Sequence, residues 1–438
     1  MPKIIGIRRE DKNDWERRVP LTPGVVKELR DKFGIKTIIQ PSKRRIFKDE
    51  EYARVGAEVN EDLGKAGTIF AVKEIPADFY EEGKTYIFFS HTIKGQTYNM
   101  DMLRTMVDKN VNLIDYERIV DGENRRLIFF GKYAGFAGMV ETLHGLGIKL
   151  KLQGYDTPLE KIKQAFSYSS VEEAKEHISE IGKEIEEYGF PPELSPFVFG
   201  FAGYGNVSQG AQEIFDLLPY KTVSVDILDE NYENFSADNF VFYKVILKEE
   251  DLVKRKDNGF DLQEYYNNPE LYVSRFEEYA EKLKVLVNCI YWTEKYPRLI
   301  TKKYLRDQAA LIKYPNLRMI GDISCDINGS IEITHKVTLP DNPSFTYLGR
   351  EDKFEDGVSR EGVSVMAVDN LPCEFPRESS EAFSEVLSKF AAGIVEADFK
   401  AGFDSLILPE PVKRALILHN GEFTGDYKYM KSFLLEEN

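Results

Sequence analysis

An α/β chain of two domains, each a parallel sheet covered by helices, is what this sequence predicts. Three observations lead there. The chain has 438 residues, about three times the ~150 of one domain. Strand-like and helix-like stretches alternate from the N-terminus, the rhythm of βαβ units. Near residue 196 an apolar strand runs into a glycine turn and a helix, and the rhythm starts again.

The elements follow in order. Residues 3–7 read as a short buried strand. Thr22 caps a helix with Pro23 at its first position, and Val25, Val26, Leu29 and Phe33 form an apolar stripe that ends at Gly34. Residues 36–40 are the next strand. A helix near 50–55, strands at 68–72 and 86–90, a helix at 101–109 and a strand at 111–115 continue the alternation. Glycine-rich residues from Lys132 open a helical stretch running to Leu150, whose small residues suit a closely packed interdomain connector. Residues 157–195 read as two polar helices and a proline link, Pro191-Pro192. A second α/β block begins at 196–201. The acidic, aromatic stretch 229–284 reads as a surface excursion with local helices. Strands resume at 285–292, 317–324 and 363–368, and a long helix at 379–398 carries Phe383, Val386, Leu387 and Phe390 at helical spacing.

Composition narrows the class. Apolar residues make up 42% and charged residues 30%, a globular balance. The 58 basic against 74 acidic residues give a net charge of −16, which argues against a nucleic-acid binder. Residues 1–50 run the other way, with fourteen Lys/Arg against eight Asp/Glu, a surface suited to an anionic small molecule. The cysteines Cys289, Cys325 and Cys373 form no CxxC pair, so neither a disulfide framework nor a metal site is expected. The remaining histidines, His144, His177, His335 and His419, show no metal-ligand spacing. The N-terminus turns charged before any apolar run long enough for a signal peptide. The most apolar stretch, 127–140, is interrupted by Lys132 and too short to span a bilayer. A cytoplasmic protein without membrane or nucleic-acid partners is expected.

Two constellations carry chemistry. FVFGFAGYGNVSQGA (197–211) is an apolar strand followed by Gly203-Tyr204-Gly205 and a helix from Asn206. Gly203 permits the tight turn, Gly205 lets backbone approach a pyrophosphate, and the first helical residues Asn206, Val207 and Ser208 offer free N–H groups at a positive dipole end. Ser208 stands where the third fingerprint glycine is usual, with Gly210 two residues on. Asp226, after a strand expected at 222–225, is placed to accept from the ribose of NAD, while Ser224 at the strand end would leave room for the extra phosphate of NADP. NADP and NAD both stay open. The second constellation is Lys73 and His91, each immediately after a strand. In parallel sheets ligands bind outside the carboxyl ends of strands, so the pair points to proton transfer in amine or carbonyl chemistry.

The strings themselves are specific. IGIRREDKNDWERRVPLTP (5–23), VKEIP (72–76), FFSHTIKGQ (88–96), LIDYERIVD (113–121), GKYAGFAGM (131–139), GYGNVSQGA (203–211), VNCIYW (287–292), PRLIT (297–301), GDISCDINGSIE (321–332) and VDNLPCEFPRESSE (368–381) span the chain in order. Together they resemble the alanine dehydrogenase/transhydrogenase superfamily. Within it, they resemble the lysine–ketoglutarate reductase portion of the aminoadipic semialdehyde synthases, a lysine-forming saccharopine dehydrogenase. The resemblance implies NAD(P)H-dependent reductive condensation of L-lysine with 2-oxoglutarate to saccharopine, with Lys73 and His91 as the catalytic pair. It further implies Arg18 and Arg126 as carboxylate-binding arginines, Lys94 and Gln96 lining the same pocket, Asp322 near the nicotinamide ribose, and Asn370 and Leu371 in a loop beside the cofactor. The rival expectations are a related amino-acid or opine dehydrogenase using another amine or oxo acid, and a cofactor-binding regulatory protein without turnover. The implied architecture is two Rossmann-like domains: a discontinuous substrate domain, 1–134 plus 373–438, and a dinucleotide-binding domain, 135–372, with the active site in a cleft that closes over the imine.

Overall fold

The first strand, β1 (Ile4–Ile7), stands inside an eight-stranded sheet. The computed structural model describes residues 3–230, 238–257, 259–312 and 315–435. β2 (Lys36–Ile39) and β3 (Glu58–Val59) extend the sheet on one side of β1, and β4 (Thr68–Phe70), β5 (Thr85–Phe88) and β6 (Asn112–Asp115) on the other, all parallel. Two C-terminal strands, Leu416–His419 and Glu422–Phe423, complete it antiparallel beside β6. The order 3-2-1-4-5-6 reverses between β1 and β4, and that reversal opens a crevice at the strands' carboxyl ends.

These short apolar runs are strands buried on both faces, their side chains alternating between two helix-covered layers. Ile5, Ile7, Phe70, Ile87 and Ile114 pack on one face with Val26 and Leu29 of the helix Pro23–Phe33 and with Phe383 and Leu387 of the helix Pro376–Glu396. Ile69, Tyr86, Phe88 and Leu113 pack on the other with Leu103 and Met106 of the helix Met100–Asp108. This unit comprises Met1–Phe130 and Pro376–Asn438.

The second unit, Gly131–Phe375, holds another eight-stranded sheet. β7 (Val198–Ala202), β8 (Tyr220–Thr222), β9 (Phe242–Leu247), β10 (Val253–Arg255) and β11 (Tyr272–Ser274) come first in the chain. β12 (Val285–Asn288), β13 (Met319–Asp322), β14 (Ser344–Leu348), β15 (Lys353–Asp356) and β16 (Val363–Met366) follow. The order is β15-β14-β16-β13-β12-β7-β9-β8, with β10 and β11 forming a separate hairpin. The parallel set is therefore β8-β9-β7-β12-β13-β16: β9, not β8, lies beside β7. β14 and β15 are antiparallel, so neither sheet is purely parallel as the sequence predicts.

Other departures are local. Residues 157–195 hold one helix, Val171–Tyr188, and short 3₁₀ turns, because Pro158 and the serines of 167–170 favour turns over a second helix. The stretch 229–284 is no mere excursion: it supplies β9, the β10–β11 hairpin and the helix Leu262–Asn267. Residues 231–237 and 258 of that stretch lie outside the described residues. The connector expected over 132–150 is a helix from Gly131 to Gln153 lying in the second unit. It crosses the helix Asn206–Phe215 at glycines: a methyl at Gly135 would strike the Val207 carbonyl, and one at Gly210 the Lys132 carbonyl. The third fingerprint glycine thus stands at Gly210, where close helix packing needs it. Among the described residues no helix is long and apolar enough to cross a membrane.

Candidate functional site

In the first unit, polar groups gather at the carboxyl ends of β1, β4, β5 and β6. Glu10, three residues past β1, accepts the backbone N–H of Val72 at 2.7 Å and of Lys73 at 3.0 Å just past β4. It thereby ties the two strands whose order reverses, and it fixes the backbone from which Lys73 projects. Burial first, then the charge of Glu16, push the Glu10 carboxyl up to about 7, against the pull of those two N–H groups. Lys73 is half-buried.

His91 follows β5 with φ +46°, a left-handed backbone that a non-glycine residue adopts at a cost. The Asn99 side-chain amide holds it there by donating to the carbonyls of Ser90 (3.0 Å) and His91 (3.1 Å). The imidazole stacks on Phe89, and its Nδ1 donates to Glu74 Oε1 at 2.7 Å, so Nε2 is the nitrogen left to meet a ligand. Glu74 also accepts from Lys12 Nζ at 2.7 Å. Burial alone would raise the Glu74 carboxyl; the bond and charge of His91, then Lys12, outweigh it and hold the group at about 2. Beneath, Asp115 at the end of β6 accepts from the Ser90 N–H at 3.1 Å and from the Ser90 hydroxyl. Its carboxyl is pushed up to about 6 by burial and by Glu117.

The predicted arginines are both paired with acids of the chain. Arg18 is 3% exposed; its Nε and Nη2 donate to the two oxygens of Glu16 at 2.8 and 2.6 Å, and its guanidinium lies 4.2 Å from the Phe130 ring centre. Arg126 is exposed and meets Glu117 at 2.9 Å. Lys94 is exposed, and its N–H donates to Gln96 Oε1 across the Gly95 turn. Lys73 and His91 thus end neighbouring strands, with Arg18 and Arg126 on segments of the same unit.

In the second unit Gly203 takes φ +92° at the end of β7, and Gly205 precedes the helix Asn206–Phe215, whose first N–H groups have no acceptor within the helix. The turn borders a cavity of about 460 Å³ walled by Tyr204, Tyr265, Tyr266, Tyr291, Tyr296 and Glu249. A turn able to pass a pyrophosphate beside an apolar, aromatic cavity fits a dinucleotide. Three predicted cofactor residues have buried side chains. Ser208 is fully buried, and its Oγ accepts from Gln212 at 3.0 Å, so its backbone N–H alone serves the helix terminus. Leu371 is buried against Gly138 of the long helix, and Asn370 next to it is half-buried. Asp322 is 1% exposed and accepts from Asn288 (2.8 Å), Thr334 (2.6 Å) and the Cys325 N–H (3.2 Å), with burial pushing it up to about 6. It braces the ends of β12 and β13. Asp226 is exposed in the helix Val225–Glu230 after the edge strand β8 and does not line the cavity, because β9 intervenes between β8 and β7.

Sequence reasoning missed Glu10, Glu74 and Glu249. Glu74 was findable, since it adjoins Lys73 at a strand end. Among the described residues no cluster of three or more His, Cys, Asp or Glu is placed to hold a metal ion.

Comparison with known proteins fits this geometry. Over 98% of its length the chain is 39% identical to the alpha-aminoadipic semialdehyde synthase of Arabidopsis thaliana, covering 41% of that protein. It is 36% identical to the mitochondrial alpha-aminoadipic semialdehyde synthase of Bos taurus, over 99% of the chain and 48% of that protein. The chain therefore spans less than half the length of these two relatives. A saccharopine dehydrogenase (NAD(+), L-lysine-forming) of Emericella nidulans is 26% identical over 87% of the chain and 90% of its own length. An L-alanine dehydrogenase structure shares the fold at TM-score 0.62 and 14% identity, over 99% of both chains. A transhydrogenase of Sinorhizobium meliloti shares it at 0.55 and 14%, over 96% of this chain and all of the other. Models of the alanine dehydrogenase/PNT N-terminal and C-terminal domains match residues 6–137 and 261–426. By both halves of that match, the chain belongs to the alanine dehydrogenase/PNT family.

Proposed function

We propose that the chain catalyses the NAD(P)H-dependent, reversible condensation of L-lysine with 2-oxoglutarate to saccharopine, an oxidoreductase reaction at a CH–NH bond. The observation that carries the reading is the Lys73/His91 pair on the adjacent strand ends of β4 and β5, with Glu74 holding His91 Nδ1. The names of the synthase and saccharopine dehydrogenase relatives support the choice of reaction.

The chemistry needs protons moved three times. The lysine ε-amine loses one as it attacks the keto carbon. The resulting carbinolamine gains one as water leaves to form the imine, and the product amine is protonated after reduction. Lys73 Nζ and His91 Nε2 are the groups assigned to these transfers. Arg18 and Arg126 are assigned to the carboxylates of the substrates. Each is held here by an acid of the chain, Glu16 or Glu117, in a pairing that a substrate carboxylate replaces. Lys94 and Gln96 are assigned to the same pocket. Gly203, Gly205 and the first N–H groups of the helix Asn206–Phe215 hold the dinucleotide, which supplies the hydride when bound.

The test is loss of NAD(P)H absorbance by the full chain. The proposal expects oxidation only when L-lysine and 2-oxoglutarate are both present. Oxidation that persists without either one contradicts it.

A further inference from the structure

The exchange of strands β8 and β9 relocates the residue that reads the far end of the cofactor. In sheets of this kind a carboxylate at the end of the strand beside the glycine-turn strand accepts from the adenosine ribose hydroxyls. That neighbour here is β9: the Gly203 N–H donates to the Leu247 carbonyl at 2.9 Å, so the chain leaves β9 directly beside the turn. Two residues on, Glu249 lines the cavity and accepts from the Tyr266 hydroxyl at 2.7 Å. The charge of Glu249, ahead of any burial, raises the Tyr204 phenol within the glycine turn itself. Among the described residues no lysine or arginine lines the cavity. Lys248 precedes Glu249 but is exposed, with its backbone N–H tied to Asp251.

We infer that Glu249 selects the cofactor: its carboxylate accepts from the ribose hydroxyls, the tyrosines stack the adenine, and a 2′-phosphate is repelled, so the chain takes NADH in preference to NADPH. The inference rests on the dinucleotide reading of the second unit. It assigns the choice to the stretch 229–284 and removes it from Asp226.

Direct binding decides the matter without turnover. NADH and NADPH fluorescence is titrated with the full chain, its Glu249→Gln and Glu249→Arg variants and Asp226→Asn, with unfolding midpoints confirming that each is folded. The expected result is NADH bound at least about tenfold tighter than NADPH by the unmodified chain, the scale of a hydrogen bond to a charged group. Glu249→Gln removes most of that preference, Glu249→Arg reverses it, and Asp226→Asn leaves it as it was. NADPH bound as tightly as NADH, or a preference that survives in Glu249→Gln or falls in Asp226→Asn, overturns the inference while the dinucleotide reading stands. Failure to bind either nucleotide overturns both.

Discussion

Glu10 and Lys73 are joined across the strand reversal by a carboxylate oxygen accepting a backbone N–H at 3.0 Å, with the other oxygen on Val72 at 2.7 Å. The bond links β1 to β4 where the crevice opens, so the position of Lys73 depends on a residue more than sixty positions upstream.

Glu10→Gln should therefore weaken the fold and the site together. A glutamine offers one oxygen and one NH₂ to two N–H donors, which leaves a backbone N–H unpaired at about 1–3 kcal/mol. Glu10 is raised in the fold to about 7 from an ordinary 4.5, so its protonated form is favoured there. That contribution is complete below pH 4.5 and is lost as pH rises through 7. Urea unfolding at pH 5 and pH 8 should show the larger penalty at pH 5; an equal penalty at both would show that the Glu10 proton does not differ between folded and unfolded chain.

Lys73→Met should lower turnover by about 10²–10⁴ while NAD(P)H binding, measured by fluorescence, stays within twofold, as for loss of a group that transfers protons. Lost nucleotide binding would instead mark Lys73 as structural.

Glu74→Gln tests the partner of His91. Glu74 is depressed to about 2 from 4.5, so its stabilisation is present above pH 4.5 and is lost as pH falls toward 2. The variant should lose about 1.5–3 kcal/mol near neutrality, the range for a bond to a charged group, with the difference shrinking below pH 4.5. A penalty constant from pH 7 to pH 3 would remove the ion pair from the account.

Gly210→Ala sets helix propensity against packing. Alanine favours a helix by about 0.5–1 kcal/mol, but here its methyl meets the backbone of Lys132, and overpacking costs about 1–3 kcal/mol. Since backbone yields less than a side chain, the variant should unfold at lower denaturant concentration. Unchanged stability would show that the two helices separate freely.

Much of this was legible residue by residue. The apolar runs at 68–72 and 86–90 and the strand-end positions of Lys73 and His91 follow from local pattern. The strand Phe242–Leu247 did not, because its apolar run sits inside an acidic, aromatic stretch whose surroundings read as surface. Strand order is a further step removed: nothing local in Tyr220–Thr222 says that it occupies the sheet's edge. A 20-residue spacing rule therefore pointed to Asp226, and pairing in space to Glu249. The inward turn of Ser208, Asp322 and Leu371 has the same origin, since burial is decided by partners distant in sequence, such as Gln212, Thr334 and Gly138.

The central claim is the joining of two particular substrates. The most direct measurement is mass spectrometry of the full chain's product from L-lysine carrying ¹⁵N at its ε-nitrogen, 2-oxoglutarate and NADH. Saccharopine that carries the label and forms in equal number to the NADH consumed is the result this account predicts. NADH consumed without the labelled adduct, or an adduct formed equally well from another amine, would contradict it.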